Sequence, residues 1–250
     1  MFGQERELEQ QYRVKVCPPG SAGTPARTGG TAMPGTIWTL DEDETSWSSW
    51  ADHMAQATAS PFMRDLIAAH KTSQRSWAID VGCGTGRAFL PLVEAGYRVI
   101  GLDPTLNGIQ LSQQRVSQTH LCAYPLLASA ARLPLPSASI SFVFALSTLF
   151  HLSYTELISA LQEVHRVLHP EGEALLHFLD IKDWRRVLAK PIRPDQAPDP
   201  SYRAVVTCFC SQGKIQEWIA EAGLELEALE LKTTDTETGQ QRNWLAHCTK

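Results

Sequence analysis

The chain has no long apolar segment. Its strongest apolar run, Ile140–Leu152, contains two serines and is too short to cross a bilayer. The first residues carry Glu5, Glu7 and Glu9 among their bases, and they have no apolar core of the signal-peptide kind. We therefore expect no membrane role.

A basic surface and a disulfide framework are also missing. The 22 Lys and Arg residues face 27 Asp and Glu residues, which gives a formal net charge of −5 and argues against a general nucleic-acid binder. The six cysteines are scattered over positions 17, 83, 122, 208, 210 and 248, so a reduced, cytoplasmic setting is the simpler interpretation. At 250 residues the chain suits one globular domain with decorations.

What the chain does contain is a glycine-rich turn between two apolar runs. The first run ends at Asp80 and breaks into a loop with Gly82, Gly84 and Gly86, and the second run ends at Asp103. Glycine lets the backbone turn tightly and lie close to a ligand, and an acid that ends the next strand can accept hydrogen bonds from ribose hydroxyls. The pattern predicts a nucleoside cofactor.

The spacing of the glycines bears on which cofactor this is. The dinucleotide pattern G-x-G-x-x-G, read from Gly82, requires glycine at position 87, where the chain has Arg87. Asp80 directly before the turn would repel a pyrophosphate, whereas it suits a ligand with a cationic amino-acid portion. A nucleotide-dependent oxidoreductase is therefore disfavoured.

Several ordered blocks carry a family resemblance. The turn that starts at Asp80 resembles the first motif, (D/E)-x-G-x-G-x-G, of class I S-adenosylmethionine-dependent methyltransferases. Ala131–Leu146 resembles the segment that leads into the family's fourth strand, and His165–Phe178 resembles its helix, turn and fifth strand, R-V-L-K-P-G-G. The match covers Trp77–Phe178 and is closest to the small-molecule branch that includes the quinone-biosynthesis methyltransferases.

The resemblance implies a Rossmann-like, doubly wound α/β fold with a mostly parallel seven-stranded sheet and helices on both faces. Residues 37–250 would form the methyltransferase domain: a helical cap over 37–72, a cofactor-binding core over 77–178, a substrate lid over 179–212, and a C-terminal helix and strands over 213–250. An exposed insertion is the alternative for 179–212. Residues 1–36 are expected to be disordered or loosely attached.

The resemblance also assigns the cofactor site, with S-adenosyl-L-methionine as the cofactor. The expected contacts run from the cofactor's amino-acid portion through the ribose to the adenine, and then to the floor of the site. They are Asp80, Gly82, Cys83, Gly84, Asp103, Pro104, Ser129, Ala130, Leu146 and Ser147. Ser129 stands where this branch often has an acid for the adenine amino group. The backbone amide of Ala130 is the remaining candidate for that contact.

His151 is the candidate general base. It follows the fourth strand by a few residues, and an imidazole titrates near neutrality. A packing role at the strand-to-helix connection is the alternative, and Thr148 and Tyr154 are weaker candidates. His165 and His169 have a spacing that binds metal on a helix, but cationic groups are favourable at a helix C-terminus, so we predict no metal site.

These observations predict methyl transfer to a small, partly aromatic or apolar acceptor at oxygen, nitrogen or carbon. The N-P-P-Y type motif of amino-directed DNA and glutamine methyltransferases is absent, because the fourth strand exits as Ser147-Thr148-Leu149-Phe150. Together with the acidic charge balance, this favours a small molecule over nucleic acid. Ser129 and Ser141, which replace family acids, keep open a non-catalytic relative that serves as a cofactor sensor or partner subunit.

Overall fold

Alternating strands and helices make up most of the chain. The computed structural model describes residues 47, 51–72, 76–187, 208–237 and 239–250. Its helices are α1 (Pro61–Ala68), α2 (Phe89–Glu94), α3 (Leu106–Thr119), α4 (Tyr154–Val167) and α5 (Gln212–Glu221). Its strands are β1 (Trp77–Val81), β2 (Arg98–Asp103), β3 (Ala123–Leu127), β4 (Ile140–Ala145), β5 (Leu168–Asp180), β6 (Phe209–Cys210), β7 (Glu225–Thr236) and β8 (Gly239–Thr249).

Serine caps set where three of the helices begin. The Ser60 hydroxyl accepts from the amide of Met63, and proline follows at the first position of α1. At α4 a capping box is present, because Ser153 and Glu156 each bond the other's backbone amide. Ser211 caps α5 in the same way as Ser60 caps α1.

The strands form one mixed sheet in the order β3-β2-β1-β4-β5-β8-β7. The first five strands of this order pair in parallel, whereas β8 is antiparallel to both β5 and β7. The predicted α/β class and mostly parallel sheet are thereby confirmed. The two-residue strand β6, which pairs with β5 in parallel, lies in the stretch Cys208–Cys210, whose alternation predicts a strand.

The buried centre of the sheet positions the site. Every residue of β1 is buried, and so are five of the six residues of β2 and of β4. Such strands read as continuous apolar runs because both faces of a parallel sheet are covered. The carboxyl ends of β1, β2 and β4 therefore reach the same edge, where ligands bind in open α/β sheets.

Two sequence-based expectations need correction. The apolar run Ala174–Phe178 predicts a short fifth strand, but β5 runs from Leu168 to Asp180. Because α4 ends at Val167, His165 and His169 do not share a helix. In the described part of the chain no group of three or more His, Cys, Asp or Glu side chains has a geometry for metal binding.

Other predictions lie partly or wholly outside the described residues. The segment 1–36 does so completely, as do positions 188–207 of the expected lid and most of the expected cap before position 51. No helix in the described ranges is long and apolar enough to span a membrane.

Candidate active site

The glycine turn after β1 has a backbone conformation that glycine adopts without strain. Gly82, Gly84 and Gly86 have φ angles of +72°, +50° and +74°. The amides of Gly82 and Cys83 donate to the carbonyl of Leu102 at 2.7 and 3.0 Å, which folds the turn back onto β2. A side chain at Gly84 would meet no atom within 4 Å, so a ligand can approach the backbone closely there.

The exit of β4 packs against this turn through Thr148. Its hydroxyl donates to the carbonyl of Val81 at 2.9 Å. Its side chain also fills the space that a Cβ at Gly82 would need. The Thr148 hydroxyl, considered above as a weaker candidate base, is thus engaged in joining the strand-four exit to the glycine turn.

Asp103 is a buried hydrogen-bond acceptor at the end of β2. One carboxylate oxygen accepts from the amide of Gly84 at 2.9 Å. The other accepts from the amide and hydroxyl of Thr105 at 2.9 and 2.6 Å. An ionised carboxylate has about four acceptor positions, so capacity for a ribose hydroxyl remains on the oxygen that bonds Gly84.

Asp80 is the second buried acid at this edge. Burial raises its pKa from 3.8 to about 7; the charge of Arg87 opposes the rise, and that of Asp103 adds to it. Near neutral pH the carboxyl is therefore divided between its neutral and charged forms. A cationic ligand beside it would favour the charged form.

The predicted adenine side adjoins Asp103. The amide of Ala128 donates to the Asp103 carbonyl at 3.0 Å, which brings the segment after β3 beside the end of β2. Pro104 and Ser129 are exposed there, while Ala130 is buried. The Ser129 hydroxyl accepts from the amide two residues later at 3.2 Å, so its oxygen takes part in its own turn.

The predicted acceptor side lies at the exit of β4. Leu146 packs against the core, and Ser147 is exposed with an unusual φ of +60°. His151 ends a short 3-10 turn and is half-buried. Its ring lies 4.8 Å from that of Trp47 and 4.4 Å from that of Phe150, measured between centroids. The candidate base thus sits among aromatic rings.

A buried histidine that no sequence motif marks supports this exit. Nδ1 of His177, on β5, accepts a hydrogen bond from the backbone amide of Ser147 at 3.1 Å. Ser147 is the residue with the positive φ, a conformation uncommon outside glycine. Its Nε2 lies 3.0 Å from Oδ1 of Asn243, so Nε2 carries the proton. Burial lowers the pKa of His177 to about 4, and the imidazole is therefore neutral at physiological pH.

Charged groups from the segment after β5 and from β8 extend this support. Arg185 donates to Asp183 through Nε at 2.8 Å and Nη2 at 2.7 Å, and Nη2 also lies 3.3 Å from Oδ1 of Asn243. The amide of Arg242 donates to Asp183 at 2.6 Å. Although burial alone would raise it, these hydrogen bonds hold the pKa of Asp183 below its ordinary value. The sequence lacked a signal for this network, since its members are up to 60 residues apart.

Asp80 and Asp103 thus lie at the ends of β1 and β2, and the other eight predicted cofactor residues lie in the segments that follow β1, β2, β3 and β4, at the same edge of the sheet. Residues 79–176 match the family model described as a methyltransferase domain. This part of the chain is similar to a methyltransferase domain. This match supports the predicted methyltransferase class, while the cofactor and the roles of individual residues remain predictions.

Three similar proteins show the range of the methyltransferases that resemble this chain. The chain is 28% identical over 128 residues to the mouse tRNA (carboxymethyluridine(34)-5-O)-methyltransferase ALKBH8, a match that covers 51% of this chain and 18% of that protein. It is 28% identical over 162 residues to the 27-O-demethylrifamycin SV methyltransferase of Amycolatopsis mediterranei, covering 61% and 55%.

Among solved structures, the fold resembles the Burkholderia thailandensis 1,6-didemethyltoxoflavin-N1-methyltransferase with bound 1,6-didemethyltoxoflavin and S-adenosylhomocysteine. The TM-score is 0.60 at 14% identity, over 82% of this chain and 84% of that one. At this identity the likeness shows the fold alone. The chain spans less than two thirds of the length of the curated relatives it matches.

Proposed function

We propose that this methyltransferase transfers a methyl group to a small-molecule acceptor, at oxygen, nitrogen or carbon. The observation that carries the proposal is the aromatic surrounding of His151, between Trp47 and Phe150, at the strand exit that packs on the glycine turn. Aromatic walls around one titratable group are typical of pockets that bind small planar or apolar molecules.

The cofactor side has the chemistry that S-adenosylmethionine needs. Asp80 and Asp103 are acceptor groups, suited to an ammonium group and to ribose hydroxyls respectively, and open space lies above Gly84. The expected contacts to adenine and beneath the cofactor come from Pro104, Ser129, Ala130, Leu146 and Ser147. The bound cofactor supplies a methyl group on a positively charged sulfonium.

The protein's contribution to the reaction is then position and proton removal. Methyl transfer is an in-line displacement, so holding the acceptor atom in line provides much of the rate. His151 would take the proton from an acceptor hydroxyl or amine, since a neutral imidazole is a base near neutral pH. His177 would hold the Ser147 backbone beneath the reacting groups without itself titrating at that pH.

The described ends of the segment 179–212 support its proposed role as a substrate lid. The amide of Cys208 donates to the Phe150 carbonyl at 2.7 Å, next to His151. At the other end, Arg185 bonds Asn243, the partner of the histidine beneath Ser147. Both ends therefore adjoin the acceptor side. The five described cysteines are free thiols, which fits the proposed cytoplasmic setting.

A tRNA acceptor is the second candidate, because the ALKBH8 relative acts on tRNA by its name. The charges at the site favour the small molecule. Asp80 and Asp103 flank the glycine turn, and the net charge of −5 gives no basic field for a phosphate backbone. The rifamycin enzyme, equally similar in sequence, acts on a small molecule by its name.

The acceptor class can be tested with methyl-labelled S-adenosylmethionine. The purified protein is incubated in parallel with a fractionated small-molecule extract and with total tRNA, and label transfer is counted in each. We expect label in the small-molecule fraction, loss of transfer in His151→Ala, and full transfer in the control His169→Ala. Label that enters tRNA alone would overturn the proposal.

A further inference from the structure

Arg115 links three separate segments of the chain at the cofactor side. It lies on α3, and its Nε donates to the Thr85 carbonyl in the glycine turn at 2.8 Å. Its Nη2 donates to the carbonyls of Ala55 and Ala57 at 3.1 and 2.8 Å. Both of these belong to the segment that precedes α1, which we call the cap segment (Ala51–Ala59).

The partners of this guanidinium are backbone carbonyls. Among the described residues, Arg115 forms no ion pair with a carboxylate. Burial, and to a smaller extent the nearby charge of Arg87, lower the pKa of Arg115, although a guanidinium stays charged throughout the physiological range. A charge taken partly out of water needs such hydrogen bonds, and breaking them is costly.

Two further contacts join the cap segment to the same place. The hydroxyl of Thr85 donates to the Met54 carbonyl at 3.3 Å, and the side-chain Nδ2 of Asn107 donates to the Asp52 carboxylate at 2.9 Å. Thr85 directly follows Gly84, where the turn borders open space. The cap segment is therefore held beside the opening through which the cofactor would approach.

We propose that Arg115 is a positioning residue that fastens the cap segment onto the glycine turn and thereby slows release of the cofactor. The inference rests on the proposed cofactor site and deepens it. One planar guanidinium reaches the turn and the cap at the same time because its donors are fixed in a fork. Lysine carries the same charge on a single nitrogen and cannot reproduce that span.

The first arm of the test needs neither cofactor nor acceptor. Amide hydrogen exchange is measured in the unliganded wild type, Arg115→Ala, Arg115→Lys and the control Arg64→Ala, which removes an exposed arginine that pairs with Glu94. We expect faster exchange confined to the cap segment and the glycine turn in both Arg115 variants. Unchanged exchange there, or a uniform increase over the whole sheet, would overturn the proposal.

The second arm measures binding of S-adenosylhomocysteine and its dissociation rate. Losing charged hydrogen bonds that close the site should weaken affinity about tenfold, mainly through faster dissociation. The KM for S-adenosylmethionine should rise with it while kcat changes little. Added methylguanidine should restore affinity in Arg115→Ala but not in Arg115→Lys, a rescue that general destabilisation would not give.

The binding data distinguish the proposed cofactor site from the proposed role of Arg115. If the wild type did not bind S-adenosylhomocysteine, the proposed function would fall, while the exchange arm would still decide whether Arg115 fastens the cap. If the wild type bound it and Arg115→Ala bound it equally well, only the present inference would fall. Arg115→Lys keeps the charge and serves as the folded variant if Arg115→Ala unfolds.

Discussion

Binding of the cofactor should release protons near neutral pH, because Asp80 is buried and partly protonated in the free protein. Burial raises the pKa of Asp80 from 3.8 to about 7. This shift of about three units corresponds to a cost of about 4 kcal/mol for holding the charged carboxylate in the unliganded fold. The pKa of Asp80 is higher in the folded than in the unfolded protein. The neutral carboxyl therefore adds its full contribution to the free energy of unfolding below pH 3.8, and this contribution is lost as the pH rises through 7.

A cationic amino group beside Asp80 would favour the charged carboxylate and expel its proton. At pH 7 about half of the Asp80 side chains carry a proton, so binding should release up to about half a proton per ligand. Titration calorimetry with S-adenosylhomocysteine in buffers of different ionisation enthalpy measures this number directly. Asp80→Asn should abolish the release and weaken binding at pH 8 about ten- to a hundredfold, since it removes a charged acceptor.

Asp80→Asn should also change how the free energy of unfolding depends on pH. Chemical unfolding at pH 4 and pH 8 should show Asp80→Asn gaining about 4 kcal/mol relative to the wild type over that interval, because the asparagine has no ionisation cost. Binding heats that do not depend on the buffer in the wild type would refute the reasoning. So would proton release that persists unchanged in Asp80→Asn.

Three further predictions concern the support of the site. Asp103→Ala should weaken binding of S-adenosylhomocysteine at least about tenfold and lower the free energy of unfolding by about 1–3 kcal/mol, because the Gly84 amide loses its acceptor; equal affinity would contradict the ribose assignment. Gly82→Ala should lower the free energy of unfolding by at least about 1 kcal/mol from its positive φ alone. The Thr148 side chain fills the space that the new Cβ would need, so adding Thr148→Ala should recover part of any further loss, measured by urea unfolding. Burial lowers the pKa of His177 from 6.5 to about 4, so its contribution to stability, about 3 kcal/mol, is present above pH 6.5 and lost as the pH falls through 4. In an acid-unfolding series, His177→Phe should not lose this stability as the pH falls. A pH profile identical to that of the wild type would show that His177 is not the buried neutral group.

The elements next to the glycine turn were the most predictable. β1 ends one residue after Asp80 and β2 ends at Asp103, as the sequence indicates, because each apolar run stops at an acid and a turn. The capping box at Ser153 fixed the start of α4 in the same local way. Such features depend on neighbouring residues only, so they can be read from the order of the chain.

Features that depend on distant partners could not be read. His177 looks like one member of a buried strand, and its function is visible only once Asn243 and Ser147 lie on either side of its ring. Arg115 sits in a polar stretch of α3 and gives no sign of the carbonyls that it binds from 30 to 60 residues away. The extension of β5 to Asp180 likewise depends on pairing with β6 and β8.

We expect the glycine turn with Asp80 and Asp103 to bind S-adenosylmethionine. A calorimetric titration of the purified protein with S-adenosylhomocysteine, with NAD as the parallel control, tests this binding. Saturable binding of one S-adenosylhomocysteine per chain and no binding of NAD are expected, because Asp80 repels a pyrophosphate and attracts an ammonium group. A folded protein that binds NAD, or that fails to bind S-adenosylhomocysteine, would contradict this expectation.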